Sequence, residues 1–151
     1  MTHHLAQANV AHMRAPLDDP LMAEFRAWLE PVNAVADASP GFVWRLQTEQ
    51  GDATSIDAFG DPLLLFNLSV WDSIEALEAY TYRSDHVRAI RRRKDWFLPA
   101  SEAAVVLWWV PAGHLPSVDE AKKRLELLRG RGPSAEAFNF RTRFAPPLPV
   151  G

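Results

Sequence analysis

The 151-residue chain contains no cysteine. Disulfides, thiolate metal ligands and cysteine nucleophiles are therefore excluded. Long apolar runs are also missing. The longest, Leu63 to Phe66 and Ala103 to Val110, fall far short of the roughly 20 residues that a membrane span needs. The N-terminus has no apolar signal core, so the cytoplasm is the expected compartment and no membrane partner is expected. No P-loop, dinucleotide fingerprint or nucleophile elbow occurs. The five histidines include no i, i+4 pair of the kind that binds zinc, so no metal site is expected. The net charge is only −3 and no nucleic-acid-binding motif is present, which argues against a nucleic-acid partner.

What the chain does have is the balance of an ordinary globular protein, 48% apolar and 23% charged. With no internal repeat and no linker, residues 1–144 read as one domain, followed by a proline-rich tail at 145–151. Charge is unevenly placed, with −9 over residues 1–82 and +6 over residues 83–151. Much of the positive excess sits at Arg83, Arg88, Arg91, Arg92, Arg93 and Lys94. That cluster reads as a solvated helix face pairing with the acidic first half, or as an attractor for an anionic ligand.

Alternating residues predict a first strand over His3 to Val10. Asp18 or Asp19 offers an N-cap and Pro20 a first helical position. Leu21, Phe25, Trp28, Leu29, Val32 and Val35 then recur at helical spacing, a stripe expected to be buried. Pro31 should kink or split that helix. Ser39-Pro40-Gly41 stops it, and Phe42 to Thr48 reads as a second strand. A short strand near Thr54 to Ala58 is possible from the pattern, and Leu63 to Val70 is a third strand. Ser73 caps a helix whose inward stripe is Ile74, Leu77 and Thr81, and Ser84 or Asp85 caps a second helical stretch ending near Phe97. Ala103 to Val110 is the fourth strand. Ser117 with Glu120 forms a capping box for a helix to Arg129, and Phe138 to Phe144 alternates like a short terminal strand. The order is β-α-β-β-α-β with an appended helix and strand. That is a ferredoxin-like α+β antiparallel sheet with helices on one face.

The fully apolar strand faces should meet the helices. The opposite faces gather Gln7, Asn9, Arg45, Asn67 and Ser69, interleaved with Leu5, Val43 and Leu65. Amides, one hydroxyl and one arginine among large apolar groups suit a half-buried cavity better than an open surface. Arg45, between Trp44 and Leu46, needs an anion or water, because burial without a partner is prohibitive. It is the candidate clamp for a carboxylate or phenolate. Tyr82, His86 and Arg93 fall near one helical face and join the candidate ligand contacts. Trp108 on the fourth strand is placed toward the cavity.

The stretch Asn67-Leu68-Ser69-Val70-Trp71-Asp72-Ser73-Ile74-Glu75-Ala76-Leu77, followed by Ser84-Asp85-His86, resembles the dimeric α+β barrel superfamily and its antibiotic-biosynthesis-monooxygenase branch. The segments Ser39-Pro40-Gly41-Phe42-Val43-Trp44-Arg45, Leu107-Trp108-Trp109-Val110-Pro111-Ala112-Gly113-His114 and Gly132-Pro133-Ser134 extend the likeness to a bacterial subfamily of unassigned function. The resemblance implies a homodimer whose sheets meet through their open faces, each subunit keeping a cavity. It also implies chemistry such as cofactor-independent oxygenation of polyketide-like aromatics, haem degradation, or muconolactone-type isomerisation. In the haem-degrading branch an asparagine, a tryptophan and a histidine act, and the matching positions here are Asn9, Trp71 and His86.

Three functions follow. The first is a monooxygenase-like enzyme without a cofactor, acting on a hydrophobic aromatic molecule that an apolar, amide-lined cavity desolvates. The second is a non-catalytic dimer holding haem or an anionic aromatic ligand; haem is the one cofactor the resemblance would bring. The third is an isomerase or lactone-rearranging enzyme with His86 as general base.

Overall fold

The computed structural model describes residues 2–47, 60–83 and 93–147. β1 (His3–His12) pairs antiparallel with β3 (Leu64–Trp71) on one side and with β4 (Val105–Pro111) on the other. β2 (Phe42–Arg45) pairs antiparallel with β3, so the sheet order is β2-β3-β1-β4. With α1 (Ala23–Asp37), α2 (Ile74–Arg83) and α3 (Val118–Arg131), this is the ferredoxin-like α+β arrangement.

Local sequence explains the boundaries. The Asp19 carboxylate accepts from the Leu21 amide at 2.9 Å and Pro20 opens a 3₁₀ turn (Pro20–Met22) that leads into α1. Pro31 lies inside α1 without dividing it. Pro31 and Ala27 are both exposed, so the amide that proline lacks is missing on the outer side of the helix. Ser73 accepts from the Ala76 amide at 3.1 Å at the start of α2. Ser117 accepts from the Glu120 amide at 3.0 Å, and Gly132 ends α3 at φ 75°.

Helices lie on both faces of the sheet rather than on one: the apolar face meets a helix as expected, but that helix is the appended α3. The fully apolar face, with Ala6, Ala8, Val10, Phe66, Leu68, Val106, Trp108 and Val110, packs against Ala121, Leu125 and Leu128 of α3. α1 and α2 cover the mixed face instead. There Leu5, Trp71 and Leu107 meet Ala36, Ile74 and Leu77, while Leu65 meets Met22, Phe25 and Trp28. Leu5 and Leu65 are therefore buried by the chain's own helices rather than left for a partner. Strand periodicity separates two faces but does not say which one an appended helix will claim.

Two strand assignments also change. β2 is shorter than expected and carries a bulge between Phe42 and Trp44, with Val43 exposed. The extra residue puts Phe42 and Arg45 on one face and Trp44 on the other. The segment 138–144 forms a single bridge, not a strand. Phe138 and Leu107 exchange two backbone hydrogen bonds of 2.8 Å and close the outer edge of β4. The expected strand at Thr54 to Ala58, the end of β2 at Thr48, and the helical stretch from Ser84 through His86 lie outside the described residues, except for helical residues 93–96.

Candidate functional site

Between the mixed sheet face and α1–α2 lies a hollow of about 1060 Å³. It continues round the end of the sheet where β1 finishes and β3 and β4 begin, past His12, Leu64 and Ala104. Its floor is a polar ladder set by strand register. Gln7 stands directly opposite Ser69, and Asn9 directly opposite Asn67. Directly opposed side chains on one face lie close enough to bond. Asn67 Nδ2 donates to Asn9 Oδ1 at 3.1 Å, and Gln7 Nε2 donates to Ser69 Oγ at 3.0 Å. Trp71, at the end of the same face, donates its indole Nε1–H to the same Ser69 Oγ at 3.0 Å.

The walls are aromatic. At one end Trp71 stacks on Tyr80, centroids 5.2 Å apart and planes 27° apart, and Phe42 meets Trp71 edge-on at 5.4 Å. At the other end Phe25, Trp28, Trp96 and Phe97 form a second cluster, with centroid distances of 5.1–5.5 Å. The stripe of α1 expected to be core lines this space. Phe25, Trp28, Leu29 and Val32 are only half-buried and border the hollow.

Arg45 stands opposite Ser69 on β2. Its Nε donates to Asp37 Oδ1 at 2.8 Å and its Nη2 to Asp37 Oδ2 at 3.3 Å, a two-pronged pair with the last residue of α1. The carboxylate partner belongs to the chain itself. Tyr80 sits among these groups and donates to the Val32 carbonyl at 3.4 Å. Burial pushes the Tyr80 phenol well above its ordinary value; the Arg45 charge pulls it back only in part, and the Asp37 charge adds to the rise. Tyr80 is thus a neutral hydroxyl at any physiological pH.

Of the residues singled out from the sequence, Gln7, Asn9, Arg45, Asn67, Ser69, Trp71, Tyr82 and Arg93 all border the hollow. Tyr82 and Arg93 are exposed and stand at its rim. Trp108 does not border it. Its ring is fully buried under α3 on the opposite face, where Nε1 donates to Glu120 Oε2 at 2.9 Å. A side chain at an even position of β4 faces away from one at an odd position, so Val105, not Trp108, borders the hollow. His86 lies outside the described residues. Asp37 and Tyr80 were not singled out. Tyr80 follows the buried Leu77 by three positions, a spacing that was available as a signal. Asp37 comes to Arg45 only through the Ser39-Pro40-Gly41 turn, which no spacing rule reports.

Among the described residues no group of three or more histidine, aspartate or glutamate side chains could hold a metal ion, and no helix is long and apolar enough to cross a membrane.

Fold and site together define a ferredoxin-like α+β protein with a polar-floored, aromatic-walled hollow between its sheet and two helices. The family is shown by sequence. The chain belongs to the domain family of unknown function DUF3291, whose model matches residues 4–149. No curated protein matches it in sequence. Several solved structures are similar in part. One is a variant of SnoaB, a cofactor-independent oxygenase from Streptomyces nogalater, at 14% identity and TM-score 0.46, covering 76% of this chain and 98% of that one. Another is the NE2512 protein of unknown function from Nitrosomonas europaea, at 12% identity and TM-score 0.47, covering 77% and 97%. A third is PA3566 from Pseudomonas aeruginosa, at 17% identity and TM-score 0.43, covering 77% and 97%.

Proposed function

We propose that this protein binds a hydrophobic aromatic small molecule in the hollow and oxygenates it with dioxygen, without a tightly bound cofactor, the substrate itself supplying the electrons as a ring CH2 becomes a carbonyl and the second oxygen atom leaves as water. The observation that carries the reading is the pairing of a neutral polar floor with aromatic walls in one space. The walls, Trp71–Tyr80 at one end and Trp28–Trp96 at the other, suit a flat ring system. The floor supplies fixed dipoles rather than charges. One hydrogen bond between Asn9 and Asn67 leaves the pair with a free carbonyl and a free amino group. Such dipoles hold oxygen substituents of a substrate, and once a bound substrate displaces water from them they stabilise negative charge that develops there. In this reading Asn9, Asn67 and Trp71 contact the reacting molecule, and His86 is the candidate base. Arg45, Tyr82 and Arg93 orient the substrate at the edges of the hollow.

The test begins with small molecules that co-purify with the protein, identified by mass spectrometry, and with its visible spectrum. A colourless protein carrying an aromatic compound that drives dioxygen uptake, lost in Trp71→Phe or Asn9→Ala, supports the proposal. Binding of such a compound without turnover leaves a carrier and removes the enzyme. A Soret band would make this a haem protein and end the cofactor-free reading.

A further inference from the structure

We propose that the Ser69 hydroxyl is the hydrogen-bond donor that selects the ligand, and that the group it selects is a neutral carbonyl oxygen on a planar aromatic molecule. The proposal rests on the small-molecule reading of the hollow and adds what that molecule must present.

The argument is a count of donors and acceptors. A serine hydroxyl has one hydrogen to give and two lone pairs to fill. The Trp71 indole Nε1–H has no acceptor capacity, so its 3.0 Å bond to Ser69 Oγ fills one lone pair. The 3.0 Å bond donated by Gln7 Nε2 fills the other. The hydroxyl hydrogen then leaves along the remaining tetrahedral direction. Among the described residues none accepts it, and Ser69 is half-buried on the border of the hollow. The hydroxyl hydrogen therefore faces the hollow, where a bound ligand that excludes water must supply its acceptor or leave it unpaired at a cost. Two donors pointing at the oxygen also polarise it and strengthen the bond it gives.

The electrostatics choose among acceptors. Arg45 stands opposite Ser69 in the sheet, but its charge is matched by the two-pronged bond to Asp37. Tyr80 beside it is held neutral by burial. Of the sheet residues beside Ser69, Arg45 is the charged one and Asp37 matches it, so these neighbours give no added reward to a phenolate or carboxylate. They suit an uncharged carbonyl. The Trp71 ring that bonds Ser69 is also the ring stacked on Tyr80, so the donor is fixed relative to an aromatic wall. A carbonyl attached to a flat ring system meets both.

Fluorenone and fluorene test this, because they share a planar tricyclic frame and differ by the carbonyl oxygen. Titration calorimetry on wild type should show fluorenone bound about five- to tenfold more tightly, the value of one good hydrogen bond. Ser69→Thr keeps the hydroxyl and should keep the ratio. Ser69→Ala should lose the preference and bind the two compounds with equal affinity. If wild type binds both compounds equally, or if Ser69→Ala retains the preference, the Ser69 assignment is overturned while the small-molecule site stands. If neither compound binds wild type, the reading of the hollow as an aromatic site falls, and the Ser69 assignment falls with it.

Discussion

Two side chains of the site carry predictions of their own. Tyr80 and Tyr82 are the two tyrosines of the chain. In Tyr82→Phe only Tyr80 remains to titrate. Because burial holds its folded pKa above the ordinary value of about 10, folding favours the protonated phenol. The associated stability is intact below that ordinary value and is lost as pH rises through the range above it. Alkaline titration of Tyr82→Phe should therefore give no phenolate absorbance until the chain unfolds; a normal tyrosine titration in folded protein would place Tyr80 in water. Arg45 makes the second case. Its side chain is 14% exposed and that of Asp37 is 47% exposed, so one end of the pair is wet. Arg45→Met should cost about 1–2 kcal/mol by urea denaturation, nearer the surface-pair range than the roughly 3–5 kcal/mol of a fully buried pair. Asp37→Asn should cost a similar amount. A loss near 5 kcal/mol would mean that the pair is sealed from solvent.

The strands and caps were legible in the sequence because each rests on short-range chemistry. Alternation marks β1 and β3, a continuous apolar run marks β4, and Ser73, Ser117 and Asp19 each bond the amides their positions promise. The polar row of Gln7, Asn9, Arg45, Asn67 and Ser69 was also legible, since a period of two puts those residues on one face. What the pattern did not contain was the partner of each face. Phe25, Trp28, Leu29 and Val32 have the spacing of a core stripe, yet they wall a hollow, because apolar periodicity is the same for a packed wall and an empty one. Trp108 was misassigned for a related reason, as α3 claims the face it lies on. The attachment of α3 is itself testable. Glu120 accepts from Trp108 Nε1 at 2.9 Å and shares a 2.7 Å bond with His114 Nε2. Burial alone would raise its pKa, but the hydrogen bonds from His114 and Trp108 and the charges of His114 and Arg124 outweigh burial and hold it low. A carboxyl lowered in the fold contributes stability above its unfolded value and loses it as pH falls through the folded one. Glu120→Gln should therefore be destabilised at neutral pH by about 1 kcal/mol, with the gap to wild type closing in acid. A gap that persists unchanged in acid would show that the charge on Glu120 plays no part.

Assembly is where the placement of α1 and α2 on the mixed face has its largest consequence. A homodimer is expected, but not through Leu5 and Leu65, which the chain buries beneath α1 and α2. α3 packs across β4 and β1 of the apolar face. Beside it, Trp44, Leu46 and Leu64 are only partly buried against the core, and Val43, the bulge residue next to Trp44 in the chain, is exposed at this edge of the sheet. This half of the face, toward β2, is the surface that a second copy would cover, since contiguous apolar area beside a core usually marks an interface. We propose a two-fold dimer there, and sedimentation equilibrium at micromolar concentration should give twice the 17.0 kDa chain mass. Val43→Arg is the informative variant. Val43 is 38% exposed, so a charge there should leave the fold intact while shifting the dimer toward monomer by tenfold or more, each 1.4 kcal/mol being a factor of ten. A wild-type mass of one chain at all concentrations would remove the dimer. It would not remove the hollow, because the sheet floor and the α1 and α2 walls all come from one chain. Ligand affinity of Val43→Arg should thus match wild type even where the dimer has dissociated, and a parallel loss of both would show that the partner completes the site.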